Sequence, residues 1–281
     1  MKIGAINLPF ELPFELPFKF ITPPLVEGPK VIFFIPLPEW LEKIPFAMEI
    51  SNGNYGLPIT TTVTTTWFIL LFIFLVFKMS SRNFKEVPGK MQTLLETFYL
   101  FIDDLAEQML GKWKVKYVTY VGSLFLFILF ANTISFFPIP GFSVVNNSFI
   151  VAPLFRSPTA DLNTTVGLAL LTAVTFMFTN FKVNGVIGYI KSMFQPLPIM
   201  LPINLVGEFA KPTNISIRLF GNMFAGMVII GLMYKAAPFL AGPLHLYFDL
   251  FGGVVQSFVF VMLSLVYIQG SIGDAEYVET I

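Results

Sequence analysis

Long apolar runs separated by short polar ones set the frame of this chain. A helix that crosses a bilayer takes about 20 predominantly apolar residues, and five stretches meet that length, over about residues 57–77, 117–137, 162–181, 199–234 and 244–271. The first three contain no Asp, Glu, Lys or Arg, whereas the last two hold Glu208, Lys211, Arg218, His245 and Asp249. The pattern predicts an inert scaffold half followed by a half that carries chemistry. The fourth stretch is too long for a simple crossing. At 1.5 Å per residue it would run on the order of 50 Å against a hydrocarbon core of about 30 Å. It must tilt strongly, break, or both. Pro212 is the predicted break, because proline removes a backbone donor and disfavours helix at the residue before it.

Between residues 88 and 110 the pattern changes character. Met91, Leu94, Leu95, Phe98, Ile102, Leu105 and Met109 recur at helical spacing, while Lys90, Glu96, Asp103, Asp104 and Glu107 fall elsewhere. That predicts an amphipathic helix on the cytoplasmic surface, or equally a helix packed on a partner subunit. The segment ahead of the first span repeats Leu-Pro-Phe three times, at residues 8–10, 12–14 and 16–18. Proline at every fourth position forbids a regular helix, so an extended, membrane-hugging arm is expected. No basic stretch leads into a continuous apolar one there, which argues against a cleaved signal peptide. The predicted organisation is an N-terminal arm over 1–56, a membrane domain over 57–271 and a tail over 272–281. Lysine and arginine favour the cytoplasmic side. Lys78, Arg82, Lys85 and Lys90 crowd the exit of the first span, and Lys182 and Lys191 follow the third. The N-terminus is therefore expected outside and the C-terminus in the cytoplasm, with Lys235 a dissenting outer charge.

Composition strengthens this picture and removes several alternatives. Hydrophobic residues make up 55% of the 281, charged residues only 12%, and Phe alone occurs 34 times, which places the chain in a lipid bilayer. The absence of cysteine rules out disulfides, thiolate metal sites and a cysteine nucleophile, and the single histidine makes a histidine metal centre implausible. No cofactor is expected. A formal net charge of zero suggests no nucleic-acid partner. No phosphate-cradling glycine loop, catalytic triad or nucleotide motif occurs. The fold class is thus an all-α integral membrane protein of about five membrane helices.

The polar groups of the second half fall into two stripes. Lys211, Asn214, Arg218 and Asn222 are spaced by three, four and four, with Ala225 and Gly226 continuing the face as small residues. His245, Asp249, Gly252 and Gln256 do the same in the last span. Two such helices can enclose a hydrated path, since each polar side chain then meets a partner or water instead of lipid. The alternative is polar glue between helices. Arg218 exceeds that need: an arginine at membrane depth costs at least about 2.5–3.5 kcal/mol on insertion scales. His245 lies near the outer end of its span and reads as a surface or interfacial group.

Residues 217–226, IRLFGNMFAG, closely resemble the signature of subunit a of rotary F-type ATP synthases. Residues 158–165, PTADLNTT, 202–212, PINLVGEFAKP, and 256–268, QSFVFVMLSLVYI, resemble further family blocks in the same order. The likeness spans roughly residues 87–269, and the Gly221-Asn222-Met223 form looks bacterial. It implies a location in the bacterial inner membrane, with the last two helices long and tilted against a rotating ring of c subunits, and a peripheral-stalk subunit b as a further partner. It implies that Arg218 faces the ring carboxylates and separates two aqueous half-channels. Asn222, Asp249 and Gln256 then look like the outer half-channel, and Glu208, with Lys211 nearby, like the inner one; Asn214 belongs to the same ion-translocating set. ATP chemistry would belong to partner chains. Asp161 is similar to a family aspartate whose role is structural. One position departs: many members carry an acidic residue where this chain has Met227, which keeps sodium coupling open beside proton coupling. A secondary transporter with a broken-helix substrate site is the competing class. A purely structural assembly subunit is a third, but it leaves Arg218 without a purpose.

Overall fold

A computed structural model describes residues 31–36, 48–51, 54–81, 88–137, 140–145, 148–153, 156–194, 199 and 201–273. The Leu-Pro-Phe repeats and residues 274–281 lie outside them. Three short strands come first, β1 (Val31–Pro36), β2 (Met48–Ser51) and β3 (Asn54–Thr60), antiparallel in the order β1-β3-β2. Residues 57–60 pair with β1, Leu57 opposite Ile35 and Thr60 opposite Val31. They were expected to open the first span. Instead α1 begins at Thr61 and runs Thr61–Ser81, because the sheet claims the preceding backbone. Its threonine-rich first turns suit a membrane entry. Thr64, Thr65 and Thr66 each donate a hydroxyl hydrogen bond to the carbonyl four residues back, so little polarity is left unpaired.

The remaining elements are α2 (Lys90–Leu110), α3 (Lys114–Thr133), a hairpin of β4 (Pro140–Val145) and β5 (Ser148–Pro153), α4 (Leu162–Met193), α5 (Leu201–Ala236), α6 (Pro238–His245) and α7 (Gly253–Ile272). A π-helical segment, Leu246–Gly252, joins α6 to α7 without a break. The described residues contain five helical stretches long and apolar enough to cross a membrane, as the hydropathy pattern predicts. They form the all-α membrane body, to which the short strands are appended.

Two hydrophobic clusters hold α3, α4, α5 and α7 together. Ile102, Leu110, Val121, Phe125, Val261 and Leu265 belong to the first, and Leu124, Ile128, Ala169, Ile215, Leu219 and Phe260 to the second. α1 stays peripheral and exposes Trp67, Leu70, Leu71 and Phe74, an apolar surface suited to lipid. The apolar stripe of α2 finds its partner within the chain: Phe98, Ile102, Leu105 and Ala106 pack on α3 and α7. Lys114 at the start of α3 pairs with both Asp103 and Glu107 of α2, at 2.9 and 2.6 Å.

Pro212 does not break the fourth span. α5 runs uninterrupted through it for 36 residues. A proline removes one intrahelical bond, and the surrounding helix tolerates that loss when neighbouring helices hold it in place. Thr213 Oγ1 adds a bond to the Phe209 carbonyl at 2.8 Å in the same turn. A helix of about 54 Å fits a core of about 30 Å only by lying obliquely or protruding. The departures from regular helix lie elsewhere, at Gly185 of α4, where φ is +69°, and in the π-helical segment.

Candidate functional site

α5 separates its two sides sharply. Ile215, Leu219 and Met223 are buried against the bundle, while Asn214, Ile217 and Arg218 are exposed. Arg218 lies midway along the helix, and no hydrogen bond or ion pair joins it to another described residue. A guanidinium in that position needs an anionic or hydrated surface opposite. The predicted stripe then divides by height. Below Arg218, Lys211 donates to Glu208 at 2.6 Å and lies over the Phe176 ring. Both line a cavity of about 520 Å³ shared with Asn180, Tyr189, Asn204 and Ser271. Above Arg218, Asn222 turns inward, and its amide donates to the Gly252 carbonyl at 3.4 Å.

Small residues make that upper contact possible. A Cβ on Gly226 would stand 3.0 Å from Phe248 Cβ, and one on Gly252 would stand 3.5 Å from the Asn222 amide nitrogen. α5 and the π-helical segment therefore approach more closely than larger side chains would allow. Met227, half-buried, follows Gly226.

Asp249 is buried within the π-helical segment, only 6% exposed. Its Oδ2 lies 2.6 Å from His245 Nδ1, and His245 Nε2 lies 2.9 Å from the Tyr234 hydroxyl of α5. His245, expected as a surface or interfacial group, is part-exposed and bridges two elements. Sequence periodicity does not reveal Tyr234, since the chain reverses between α5 and α6; the only signal is the four-residue spacing of His245 and Asp249. One α-helical stretch further on, Gln256 is also buried, and its amide makes no hydrogen bond to a described residue. Such an amide can serve a passing ion or water.

Beside Gln256 lies a fully paired polar cluster. Asn132 of α3 donates to the Gly253 carbonyl and to Ser257 Oγ, at 3.0 and 3.1 Å, and accepts from Thr159 at 2.6 Å. Thr159 in turn meets Ser157, whose hydroxyl donates to the Ala131 carbonyl. These groups find their partners in one another and in the Gly253 and Ala131 carbonyls, and serve as glue. Asp161 has a similar role: it accepts from the Asn163 backbone N–H at 3.0 Å and from Thr62 at 3.4 Å, which caps α4 and ties it to α1.

Comparison with known proteins places this geometry. The family model of the ATP synthase A chain matches residues 61–269. The chain is 64% identical over 261 residues, 92% of its length and 90% of the relative's, to "ATP synthase subunit a, sodium ion specific" of Propionigenium modestum. It is 33% identical over 212 residues to ATP synthase subunit a of Moorella thermoacetica, covering 75% of this chain and 90% of that one. The chloroplastic subunit a of Stigeoclonium helveticum is 32% identical over 212 residues, with 75% and 83% covered. An exposed arginine midway along an apolar helix, with polar groups sorted above and below it, is thus set in a sequence that matches one family along most of its length: the chain belongs to the ATP synthase A chain family, the ion-translocating stator subunits of F-type ATP synthases.

Proposed function

We propose that Arg218 is the barrier between two half-channels and that it works on the ring carboxylates of the c subunits. The observation that carries this is the exposed Arg218 midway along α5, free of ion pairs to described residues. A guanidinium keeps its proton in proteins, so it cannot pass one along; it favours the ionised form of an approaching carboxylate and so expels the ion bound there. The inner half-channel is the cavity with Glu208 and Lys211, reached past Asn214. The outer one runs along Asn222, Asp249 and Gln256 between α5 and the last span. The N-terminus faces outward, the C-terminus lies in the cytoplasm, the membrane is the bacterial inner membrane, and subunit b is the second membrane-sector partner. ATP is made and hydrolysed on other chains of the complex.

Cysteine labelling tests the outer path in a chain that has no cysteine of its own. In the assembled complex, Asp249→Cys and Gln256→Cys are expected to react with a small water-soluble thiol reagent applied from outside, and the label slows ion transport. Phe251→Cys, which points out of the bundle into apolar surroundings, reacts at least about tenfold more slowly, because thiolate attack needs water. Equal rates at all three positions would place the path elsewhere.

The coupling ion is proposed to be sodium. The Propionigenium modestum relative bears a sodium-specific name, and Met227 stands where many members of the family are expected to carry an acidic residue, so the outer path has one carboxylate fewer. ATP-driven uptake into vesicles is then expected to require sodium and to persist in the presence of a protonophore. Sodium-independent proton pumping by the unaltered complex would eliminate this reading. Met227→Glu should assemble at near wild-type levels if water reaches the position, and lose assembly if it is dry, since an unpaired buried carboxylate is costly.

A further inference from the structure

His245 has two partners placed so that it can change charge without moving. Nδ1 lies 2.6 Å from Asp249 Oδ2, and Nε2 lies 2.9 Å from the Tyr234 hydroxyl. Two proton arrangements fit these heavy-atom positions. With a neutral ring, the Tyr234 O–H donates to Nε2 and Nδ1–H donates to the carboxylate. With a protonated ring, Nε2–H donates to the tyrosine oxygen and the Nδ1–H bond is unchanged. A hydroxyl is both donor and acceptor, so it satisfies either state. The His245–Asp249 pair carries a charge of −1 in the first arrangement and none in the second.

Few other described side chains bear on this charge. Among the described side chains, the titratable groups facing His245 are Asp249 and Tyr234; Lys235 follows Tyr234 in sequence at the end of α5. The turn after α3, residues 134–136, also packs on the π-helical segment and contributes no ionisable side chain. Histidine is the side chain whose ordinary charge change falls between about pH 5 and 8. This is the chain's only one.

We propose that His245 is a positioning residue for ion uptake: it holds the Asp249 carboxylate and, by taking or releasing a proton on its Tyr234 side, sets whether the outer mouth presents a net negative charge to an arriving cation. This rests on the assignment of Asp249 to the outer half-channel. Its consequence is a pH-dependent affinity for the transported cation from the outer side, weaker in acid.

The test uses the complete complex in vesicles, with the outer face of the membrane sector toward the lumen and the membrane potential clamped by potassium and valinomycin. ATP synthesis is measured against lumenal sodium at lumenal pH values between about 5.5 and 8. Protons competing at the ring carboxylates act alike on every variant, so the difference between curves isolates His245. His245→Gln keeps a donor for Asp249 but cannot become charged. The wild-type KM for sodium is expected to rise at least about fivefold more than the His245→Gln value as pH falls, with the effect in KM and not kcat. His245→Phe, which loses the hydrogen bond too, raises KM at every pH. Superimposable curves for wild type and His245→Gln would overturn the proposal, as would variants whose only defect is lower assembly. Asp249→Asn separates the two ideas: unchanged KM there means that the half-channel assignment has failed, whereas a raised KM with a wild-type curve for His245→Gln means that only the role of His245 has. If synthesis runs on protons without sodium, rate against lumenal pH becomes the readout, and identical curves again overturn the proposal.

Discussion

Arg218→Ala is expected to lower ion-driven ATP synthesis by about a hundredfold or more, the scale seen when a preorganised electrostatic group is removed from a site. Assembly of the complex is expected to be unaffected. Arg218 is exposed and has no hydrogen bond or ion pair to a described residue; the buried face of α5 is formed by Ile215, Leu219 and Met223. Substitutions at such positions change stability by about 0.5 kcal/mol or less. If Arg218 is the proposed barrier, its loss lets a ring carboxylate pass from one half-channel to the other with its ion still bound. The vesicles should therefore leak ions without making ATP. Arg218→Lys fails as well, since an ammonium can surrender its proton when desolvated and lacks the planar fork. Near wild-type synthesis by Arg218→Ala in reconstituted vesicles, measured by luciferase, would disprove the barrier role.

Asn132→Leu is expected to show the opposite division, with little electrostatic change and a large loss of stability. Asn132 is fully buried where α3 crosses α7, and its amide serves Gly253, Ser257 and Thr159 at once. Leucine removes the three hydrogen bonds of the amide, each worth about 0.5–1.5 kcal/mol, and leaves Ser257 with the Gly253 carbonyl and Thr159 with Ser157 as their remaining partners. It also places a branched carbon in a tight crossing, where a Cβ on Gly253 would already stand 3.0 Å from Asn132 Cβ. The combined cost is about 2–5 kcal/mol, enough to lower the level of assembled complex several-fold. Blue-native electrophoresis of membranes measures that level. Asn132→Leu at wild-type abundance and thermal stability would show that the cluster is not a structural tie.

What could be read from the sequence follows from the range of each signal. Five spans were legible because hydrophobic runs are local and lipid demands them. The start of α1 was not, because residues 57–60 are as apolar as the helix they precede and only pairing with β1, more than 20 positions away, makes them strand. Pro212 misled for a related reason: its helix-breaking tendency is a local preference, and α5 is held by helices on its buried side. The polar stripe of α5 was legible through its period, and Arg218 stood out through the cost of placing it in lipid. The pairing of Tyr234 with His245 depends on how α5 folds back onto α6. The Asn132 cluster joins residues up to 125 positions apart, drawn from α3, α7 and the turn ahead of α4, with no local period linking them. The order of the polar groups along α5 and the last span was therefore visible, and the cross-links between elements were not.

The π-helical segment makes chain length at this point a control on angle. A π-helical turn accommodates an extra residue relative to an α-helical one. Removing one residue between Leu246 and Gly252 would leave Gly253 and Ser257 of α7 seated against Asn132 and rotate α6 by about 100° around the common axis. His245 would swing away from Tyr234 while the bonds of Asn132 to Gly253 and Ser257 survived. A one-residue deletion here is thus a rotation rather than a loss, and an insertion or deletion in this segment would give a related chain a different outer mouth on the same inner machinery.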